Sequence, residues 1–390
     1  MTNHARSARL DISIAGKNVS TSLEPYMIDF KVTDKTNEEI DDLSITMDDR
    51  EGLFAGDWQP ERGDSITCAI ICENWEKPGD KIRVEFGKFE IDEVETKGPP
   101  SVVEIKAVSA INSAIRRQLV NKAWEKITFE KMVSEIAAKH KLDYLFDAED
   151  FEIDRLDQND QSDLSLLAKV CDDNGLKVKI VDDTLIIFSE EDYEAKDVAF
   201  QLSKHELSEY SFKCQSHDVY KECKVQYYDP KTKKAKKSTV GYQYNSDLNK
   251  QKKAPYVANA DLNKPRASSG AKKAKKPHYG SYTFLDQANA KGGGKTLVIR
   301  QKVHSEKEAE KLAKARLREK NKGEWTANLS TMGNKHYVAG VVFELLDCGR
   351  HGGCYLVDTA THSLSRSSGY TVDIEAHRVL GEGGRPTADE

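Results

Sequence analysis

The sequence predicts a mainly β protein with a small α/β insertion. Three observations support this: short stretches of alternating apolar and polar residues, turn sequences between them, and a change to helical patterns after residue 118. Alternation with a period of two places every second side chain on the same face of a strand. In residues 8–16 that face carries Leu10, Ile12 and Ile14.

The first 118 residues contain about half a dozen such stretches, a density typical of an antiparallel barrel or sandwich. They are residues 8–16, 26–34, 42–49, 65–75, 88–98 and 101–110. Turn sequences rich in glycine and proline, such as Pro-Glu-Arg-Gly-Asp and Lys-Gly-Pro-Pro, separate them. We therefore expect strands joined by tight turns throughout this part of the chain.

Residues 119–200 combine helical patterns with one hairpin. Thr128 is placed to cap a helix. Its apolar stripe comprises Phe129, Met132, Val133, Ile136 and Ala137. Residues 176–190 read as a hairpin turned at residues 182–183. These features predict a small α/β unit inserted in a β chain.

Residues 157–176 predict a second helix. Ser162 or Asp160 can accept hydrogen bonds from the first free N–H groups, and Asp163 suits the positive end of the helix dipole. Gly175 stands where a left-handed C-terminal cap is expected. The buried stripe comprises Leu164, Leu167, Ala168 and Cys171.

The acids of this stretch, Asp157, Asp160 and Asp163, could also form an ion site, a paired-carboxylate site or a contact with a partner. A calcium loop needs a glycine in mid-loop and a terminal glutamate. That glycine is absent, so we interpret the acids as the entry to a helix.

The later part of the chain returns to strands, with one helix. Strand patterns occupy residues 208–214, 219–229, 295–303, 324–333, 341–347, 354–364 and 369–380. Ser305 and Glu308 form a potential capping box for a helix that ends near Gly323. Its predicted apolar face comprises Ala309, Leu312, Ala313 and Leu317.

Residues 231–276 are strongly basic, with 14 Lys and Arg against two acids, whereas the rest of the chain has a net charge of about −18. We interpret this segment as a long excursion, partly extended and partly mobile. Tyr242, Tyr244 and Tyr256 stand among the lysines, so stacking on nucleic acid is one interpretation. An acidic protein partner and a solvated loop are the others.

The composition indicates a soluble protein, with 38% hydrophobic and 32% charged residues and no apolar run long enough to span a bilayer. The N-terminus has no apolar core of a signal peptide, so we expect none. The seven scattered cysteines lack zinc spacing, and we expect buried free thiols. A disulfide between Cys348 and Cys354 is the less favoured alternative.

Candidate catalytic motifs are missing from the sequence. Residues 292–296, Gly-Gly-Gly-Lys-Thr, lack the first glycine of a phosphate loop and precede a strand pattern, which favours a linker. His351, His362 and His377 lie near one another in sequence, but no third ligand or supporting shell is evident. We expect them on strand surfaces or in the core, and we assign no catalytic, cofactor-binding or metal-binding residue and no cofactor.

Four segments follow one another in an order that matches a known family. Residues 89–142 contain a strand, a Gly-Pro-Pro turn, an Arg pair, a Trp and a capped helix. Residues 155–180 contain a Gln-x-x-x-Ser-Asp-x-x-x-Leu pattern, with Cys171 as a less usual residue four positions later. Residues 308–319 form a helix leading into a strand, and residues 355–378 contain His…Gly-Tyr-Thr, the most specific of the four.

Together these segments resemble the late control protein D family, the central baseplate hub of contractile-tailed phages. Relatives occur in phage-tail-like bacteriocins and type VI secretion spikes. The resemblance implies two tube-like antiparallel β-barrels per chain, with the α/β unit inserted after the first. The basic segment departs from the pattern, and the family has no active site to transfer.

The resemblance also implies an assembly. Three chains would form a homotrimeric ring whose six barrels adapt the hexameric tail tube to a trimeric spike. The implied partners are the tail tube or tube-initiator protein, the spike or puncturing protein, the tape-measure protein and other baseplate proteins. The expected location is a virion or tail-like particle, assembled in the cytoplasm of the host bacterium.

These considerations predict five parts of the chain. They are a first β-barrel (1–118), an α/β insertion (119–200), a second β-barrel with one helix (201–230 and 295–382), a basic insertion (231–294) and a flexible tail (383–390). An acidic body would repel DNA that passes through the ring rather than bind it specifically.

Two other classes of function stay open at this point. One is a peptidoglycan-binding or cell-wall-degrading tail protein, since the helix from Thr128 faintly resembles LysM modules. The other is a DNA-binding protein acting through residues 231–276. Against the first, the sequence shows no pair of acids in a pocket-forming context, and we expect no enzymatic activity.

Overall fold

The computed structural model is dominated by antiparallel strands. It describes residues 5–36, 41–54, 56, 58–109, 113–181, 183–215, 217–220, 222–229, 234–241, 295–300 and 306–380. The helices are α1 (Ser20–Leu23), α2 (Ser113–Arg117), α3 (Phe129–His140), α4 (Asp163–Asn174), α5 (Glu190–Glu194) and α6 (Glu306–Asn321). Among these residues, no helix is both long and apolar enough to cross a bilayer.

Each strand pattern described above contains or overlaps an observed strand, and the structure adds strands that were not predicted, among them β8, β10, β13 and β16 as numbered below. The first group is β1 (Ser7–Ile14), β2 (Lys17–Asn18), β3 (Met27–Lys35), β4 (Asp42–Asp48), β5 (Ser65–Glu73), β6 (Lys81–Lys97) and β7 (Val102–Ser109). The insertion contains β8 (Leu119–Thr128), β9 (Asp143–Asp147), β10 (Glu152–Ser162), β11 (Leu176–Val181) and β12 (Thr184–Ser189). The last group is β13 (Phe200–Ser203), β14 (Leu207–Cys214), β15 (Glu222–Asp229), β16 (Lys234–Gly241), β17 (Thr296–Ile299), β18 (Trp325–Met332), β19 (Val342–Leu346), β20 (Gly353–Ser365) and β21 (Gly369–Arg378).

Thirteen of these strands form one sheet. Its main path is β14-β18-β21-β20-β3-β4-β7-β6-β5-β1-β2, with β19 beside β20 and β13 beside β19. The mainly β class is confirmed. The expected pair of separate barrels differs from what is observed, because the pairing runs from one group into the other and no closing strand pair is found among the described residues.

The length of β20 explains this continuity. Its 13 residues give one edge enough room for two partners in succession: Gly353–Leu356 pair with β19, and Thr359–Ser365 pair with β3. The other edge pairs with β21 along nearly its whole length. One strand therefore joins the early and late parts of the chain into a single hydrogen-bonded sheet.

A single apolar core accompanies the sheet. It contains buried side chains from both groups of strands, such as Ile45 and Phe89 from the first and Phe343, Tyr355 and Val372 from the last. Each of these five is at most 1% exposed. Burial of large apolar side chains is the main favourable term in folding, so the two groups stabilise each other.

The α/β insertion has its own core between α3, α4 and the three-stranded sheet β11-β12-β9. The helix predicted from Thr128 is confirmed, and the Thr128 hydroxyl accepts a hydrogen bond from the Lys131 backbone at 3.4 Å. The hairpin of residues 176–190 is confirmed as β11 and β12. A second pair of strands, β8 and β10, was not predicted.

A small sheet, β16-β15-β17, packs against α6. The predicted apolar face of α6 is confirmed: Ala309, Leu312, Ala313 and Leu317 are all at most 2% exposed. Residues 234–241 of the basic segment form the edge strand β16, and Lys295 and Thr296 lead into the strand β17 rather than a helix.

Several predictions fall outside the described residues. They concern Tyr242, Tyr244, Tyr256, Ser305, the glycines at 292–294, the remainder of the basic segment and the tail at 383–390. All seven cysteines are free thiols, so no Cys348–Cys354 disulfide forms. Cys68, Cys72, Cys171 and Cys223 are buried as expected, whereas Cys348 and Cys354 are half-buried and Cys214 is exposed.

Candidate functional site: the buried clusters behind the two motifs

The His…Gly-Tyr-Thr motif forms a buried hydrogen-bonded cluster. His362 lies in β20 and Tyr370 in β21, and the Tyr370 hydroxyl is 2.8 Å from His362 Nδ1. His362 Nε2 lies 2.9 Å from the carbonyl oxygen of Tyr337. A carbonyl can only accept, so Nε2 carries the proton and Nδ1 accepts from the tyrosine. Gly369, at φ +70°, provides the left-handed residue at the start of β21.

Burial decides the charge of His362. Loss of water around the ring lowers the pKa of His362 to about 4, although the hydrogen bond to Tyr337 opposes this effect. The imidazole is therefore neutral at neutral pH, as the two hydrogen bonds require. This histidine is a core residue with both nitrogens occupied, which agrees with the interpretation from sequence.

The same cluster reaches the first group of strands. The rings of Tyr370 and Trp75, which follows β5, have centroids 5.6 Å apart. Trp75 Nε1 donates to the carbonyl oxygen of Gly333 at 2.6 Å. A Cβ atom on Gly333 would overlap the Tyr370 ring, so only glycine fits there. The motif thus marks a joint between distant parts of the sheet; we call these residues, with His362 and Tyr337, the Tyr370 joint.

The Gln-x-x-x-Ser-Asp motif forms a second buried cluster. Ser162 caps α4, and its hydroxyl accepts a hydrogen bond from the Ser165 backbone at 3.2 Å. Gln158 is fully buried, and its amide donates to Asp163 Oδ1 at 2.9 Å. The motif residues therefore hold one another at the start of the helix, and Gly175 ends it in the left-handed conformation.

Asp163 also connects α4 to α3. Its Oδ2 lies 2.7 Å from both Lys139 Nζ and His140 Nε2. Burial alone would raise the pKa of the Asp163 carboxyl, but Lys139, Gln158 and His140 outweigh it and lower the pKa. The sequence predicted Asp163 as a first-turn acid, and the structure adds a buried connection between two helices. We call these four residues the Asp163 cluster.

The other acids of this stretch have simpler environments. Asp160 is in the irregular part of β10 at φ +44° and accepts from Asn121 Nδ2 at 2.7 Å. Asp157 pairs with Arg155 at 3.0 Å on the surface. Neither caps α4, so the interpretation of Asp157 and Asp160 as the helix entry was wrong. Polar side chains suit this position because both strands of the pair are largely exposed.

His377 lies in a buried network of charges. Its Nδ1 is 2.8 Å from Asp358 Oδ2, and its Nε2 is 3.5 Å from Glu194 Oε1. Burial disfavours the charged ring, but the two carboxylates outweigh this effect and raise the pKa of His377 to about 10. Glu194 is also bonded to Arg318 of α6 at 2.6 Å. The network fixes α5 and α6 against β21.

His351 has a third kind of environment. Its ring stacks on Phe212 with centroids 4.9 Å apart and meets Trp325 edge-on at 5.3 Å. Burial, with a contribution from the nearby Arg378, lowers the pKa of His351. Each of the three histidines thus has its own partners. Where the structure is described, no metal-binding group contains two of them.

No family model matches the sequence. The chain is 26% identical over 171 residues to a probable baseplate hub protein of Escherichia phage 186, a match covering 43% of this chain and 42% of the relative. It is 25% identical over 178 residues to the probable baseplate hub protein of Escherichia phage P2, with the same coverage. The chain therefore spans about two fifths of the length of the curated relatives it matches.

Solved structures show the same fold. A 43 kDa tail protein of prophage MuSo2 from Shewanella oneidensis matches with a TM-score of 0.63 at 10% identity, covering 97% of this chain and 100% of that one. The Francisella PdpA-VgrG complex matches with a TM-score of 0.51 at 9% identity, covering 99% of this chain and 60% of that one. The chain therefore shares its fold with a prophage tail protein and with a chain of the PdpA-VgrG complex.

The matches to the two phage proteins confirm the resemblance to baseplate hub proteins. They give no support to the peptidoglycan and DNA-binding alternatives. Sequence reasoning identified the motif residues but missed Trp75, Gly333 and Tyr337. The available signal was Gly333 itself, at the end of the strand pattern of residues 324–333, because a glycine in a strand pattern can indicate a close approach of another group.

Proposed function

We propose that this chain is the structural baseplate hub of a contractile phage tail or a tail-like injection particle. In this role three chains form a ring that adapts a hexameric tail tube to a trimeric spike. The observation that carries the proposal is the continuous sheet, in which β3 pairs with β20 and joins both groups of strands. The similarity to two probable baseplate hub proteins supports it.

The geometry suits an adapter because symmetry matching requires two similar β units at a fixed angle in each chain. A flexible linker between them would let the six units of a trimer change their angles relative to one another. Here hydrogen bonds between β3 and β20, the shared apolar core and the contacts of Trp75 in the Tyr370 joint all cross the boundary. Packed interfaces of this kind resist continuous deformation.

The hub role has consequences for the activity, the partners and the location of the chain. We infer a non-enzymatic role, with the spike, the tube or tube-initiator protein, the tape-measure protein and other baseplate proteins as neighbours. We place the chain in the baseplate of a virion or tail-like particle that is assembled in the host cytoplasm. The first 118 residues and residues 201–230 with 295–382 would be the two ring-forming units, and residues 119–200 the insertion.

The mass of the purified protein tests this role. Light scattering or native mass spectrometry would be run on the chain alone and with its spike partner. A species of 43.8 kDa, or of about 131 kDa (three times that value), fits the hub, and a trimer must form with the spike. A stable dimer, or a spike complex without three copies, would contradict the proposal.

A further inference from the structure

We propose that Glu190, Asp358 and His377 form a binding site for a divalent transition metal of the zinc type. Each brings one potential ligand atom, and the three atoms lie within 4.8 Å of one another. The site lies where α5 meets β20 and β21. The inference is independent of the hub function, and it departs from the expectation from sequence that the chain has no metal ligand.

The histidine is oriented as a ligand. His377 is 1% exposed, and its Nδ1 faces Asp358 Oδ2 at 2.8 Å. Its Nε2 is buried without a hydrogen-bond partner and points towards Glu194 Oε1 at 3.5 Å. Glu194 is thus an ion-pair partner of Nε2 at a distance longer than an ordinary hydrogen bond. With a metal on Nδ1, Nε2 would carry the proton and donate it to Glu194, the carboxylate–histidine arrangement that supports bound metals.

The second carboxylate ligand is Glu190 rather than Glu194. Glu194 already accepts from Arg318 at 2.6 Å and from the Leu380 backbone at 2.9 Å. Glu190 is 8% exposed, and its nearest cation, Lys322, stands 3.6 Å away. The Glu190 carboxylate can therefore turn towards the imidazole without breaking a hydrogen bond to Lys322.

The surrounding charges leave room for a cation. Lys322 is paired more closely with Glu319, at 3.0 Å, and Lys177 lies 3.7 Å from the same carboxylate. Around the site stand the carboxylates of Glu190, Glu194, Glu319 and Asp358 and the cations Arg318 and Lys322, while Lys177 pairs more closely with Asp172, at 3.4 Å. The protonated His377 ring, paired with Asp358 and Glu194, adds one further positive charge, so a metal on Nδ1 would take the place of the Nδ1 proton and keep the carboxylates compensated.

The ligand set selects the kind of metal. One imidazole nitrogen with two carboxylate oxygens suits zinc, cobalt or nickel, whereas calcium and magnesium prefer oxygen alone. The Asp358 side chain is 26% exposed, which gives an entry path from solvent. Bound metal would tie α5 to the β20–β21 hairpin.

Cobalt provides the first test, because its visible spectrum reports the ligands directly. The purified full chain would be stripped with a chelator and titrated with Co²⁺, and Zn²⁺ would then be added as a competitor. We expect one Co²⁺ per chain with a spectrum of nitrogen and oxygen ligands, displaced by Zn²⁺, and a higher melting temperature with Zn²⁺. A spectrum with thiolate charge-transfer bands, or no binding, would overturn the proposal.

Two neighbouring glutamates give a matched pair of variants. Glu190→Gln removes a ligand, and we expect at least about tenfold weaker binding. Glu191→Gln changes the next acid of α5, which pairs with Lys314 of α6 instead, and we expect unchanged binding. If Glu190→Gln does not fold, Asp358→Asn takes its place, because that side chain is partly exposed. Equal affinity in the ligand variant and in Glu191→Gln would refute the site.

Discussion

Acid should destabilise the Tyr370 joint through His362. The folded protein holds this ring neutral, with a pKa of about 4, whereas the unfolded chain takes up a proton near its ordinary value of 6.5. Between these values the unfolded state binds more protons. The stabilising contribution is therefore complete above about pH 6.5 and is lost as the pH falls towards about 4. At about 1.4 kcal/mol per pH unit, the loss is on the order of 3 kcal/mol.

Urea unfolding at several pH values between about 7 and 4 measures this loss. His362→Gln keeps a donor and an acceptor but cannot titrate, so its free energy of unfolding should fall less steeply with decreasing pH. His217→Gln is the control, because that side chain is 86% exposed. If the wild type and His362→Gln show the same pH dependence, the reasoning about the buried neutral ring is refuted.

Three further substitutions test the two clusters. Gly333→Ala should lower the free energy of unfolding by about 1–3 kcal/mol through overpacking against Tyr370. The control is Gly323→Ala, which should cost much less because its Cβ would meet only a Gln215 side chain. Equal denaturation midpoints for the two variants would count against the tight approach. Tyr370→Phe should cost about 1–3 kcal/mol because it leaves a buried ring nitrogen without its donor, and an unchanged thermal melt would contradict that. Asp163→Asn should make the free energy of unfolding less dependent on pH below about pH 4. The lowered pKa of this carboxyl gives stability that is present above the pKa of the unfolded chain and is lost in acid. If urea unfolding of the variant shows the same loss in acid as the wild type, the role of Asp163 is refuted.

Much of the fold could be predicted because its signals are local. The apolar stripe of α6 and the N-terminal caps of α3 and α4 depend on residues three or four positions apart, and each of these features was identified from the sequence. The pair β8–β10 escaped prediction because its residues are mostly polar and exposed, so no apolar alternation marks it. Likewise the short acidic helix α5 was not predicted, and Glu190 was read as the last residue of the hairpin.

The buried connections could not be predicted, since they depend on residues far apart in sequence. His362 and Tyr370 stood out as a motif, but nothing local indicates that Trp75 packs on them. In the sequence Lys322 and Arg318 resemble ordinary surface residues, and no local pattern connects them with His377. Only the approach of α5 and α6 to β21 buries their charges together.

The pairing of β3 with β20 also determines when the molecule can finish folding. Thr36 at the end of β3 bonds to Asp358, 322 residues further along the chain. During synthesis, one edge of β3 stays unpaired until β20 (Gly353–Ser365) has left the ribosome, and unpaired edges invite association with other chains. Contacts over such distances fold slowly because the intervening loop must first be closed. A chain that is truncated before β20 therefore cannot complete the sheet, because the edge of β3 stays unpaired.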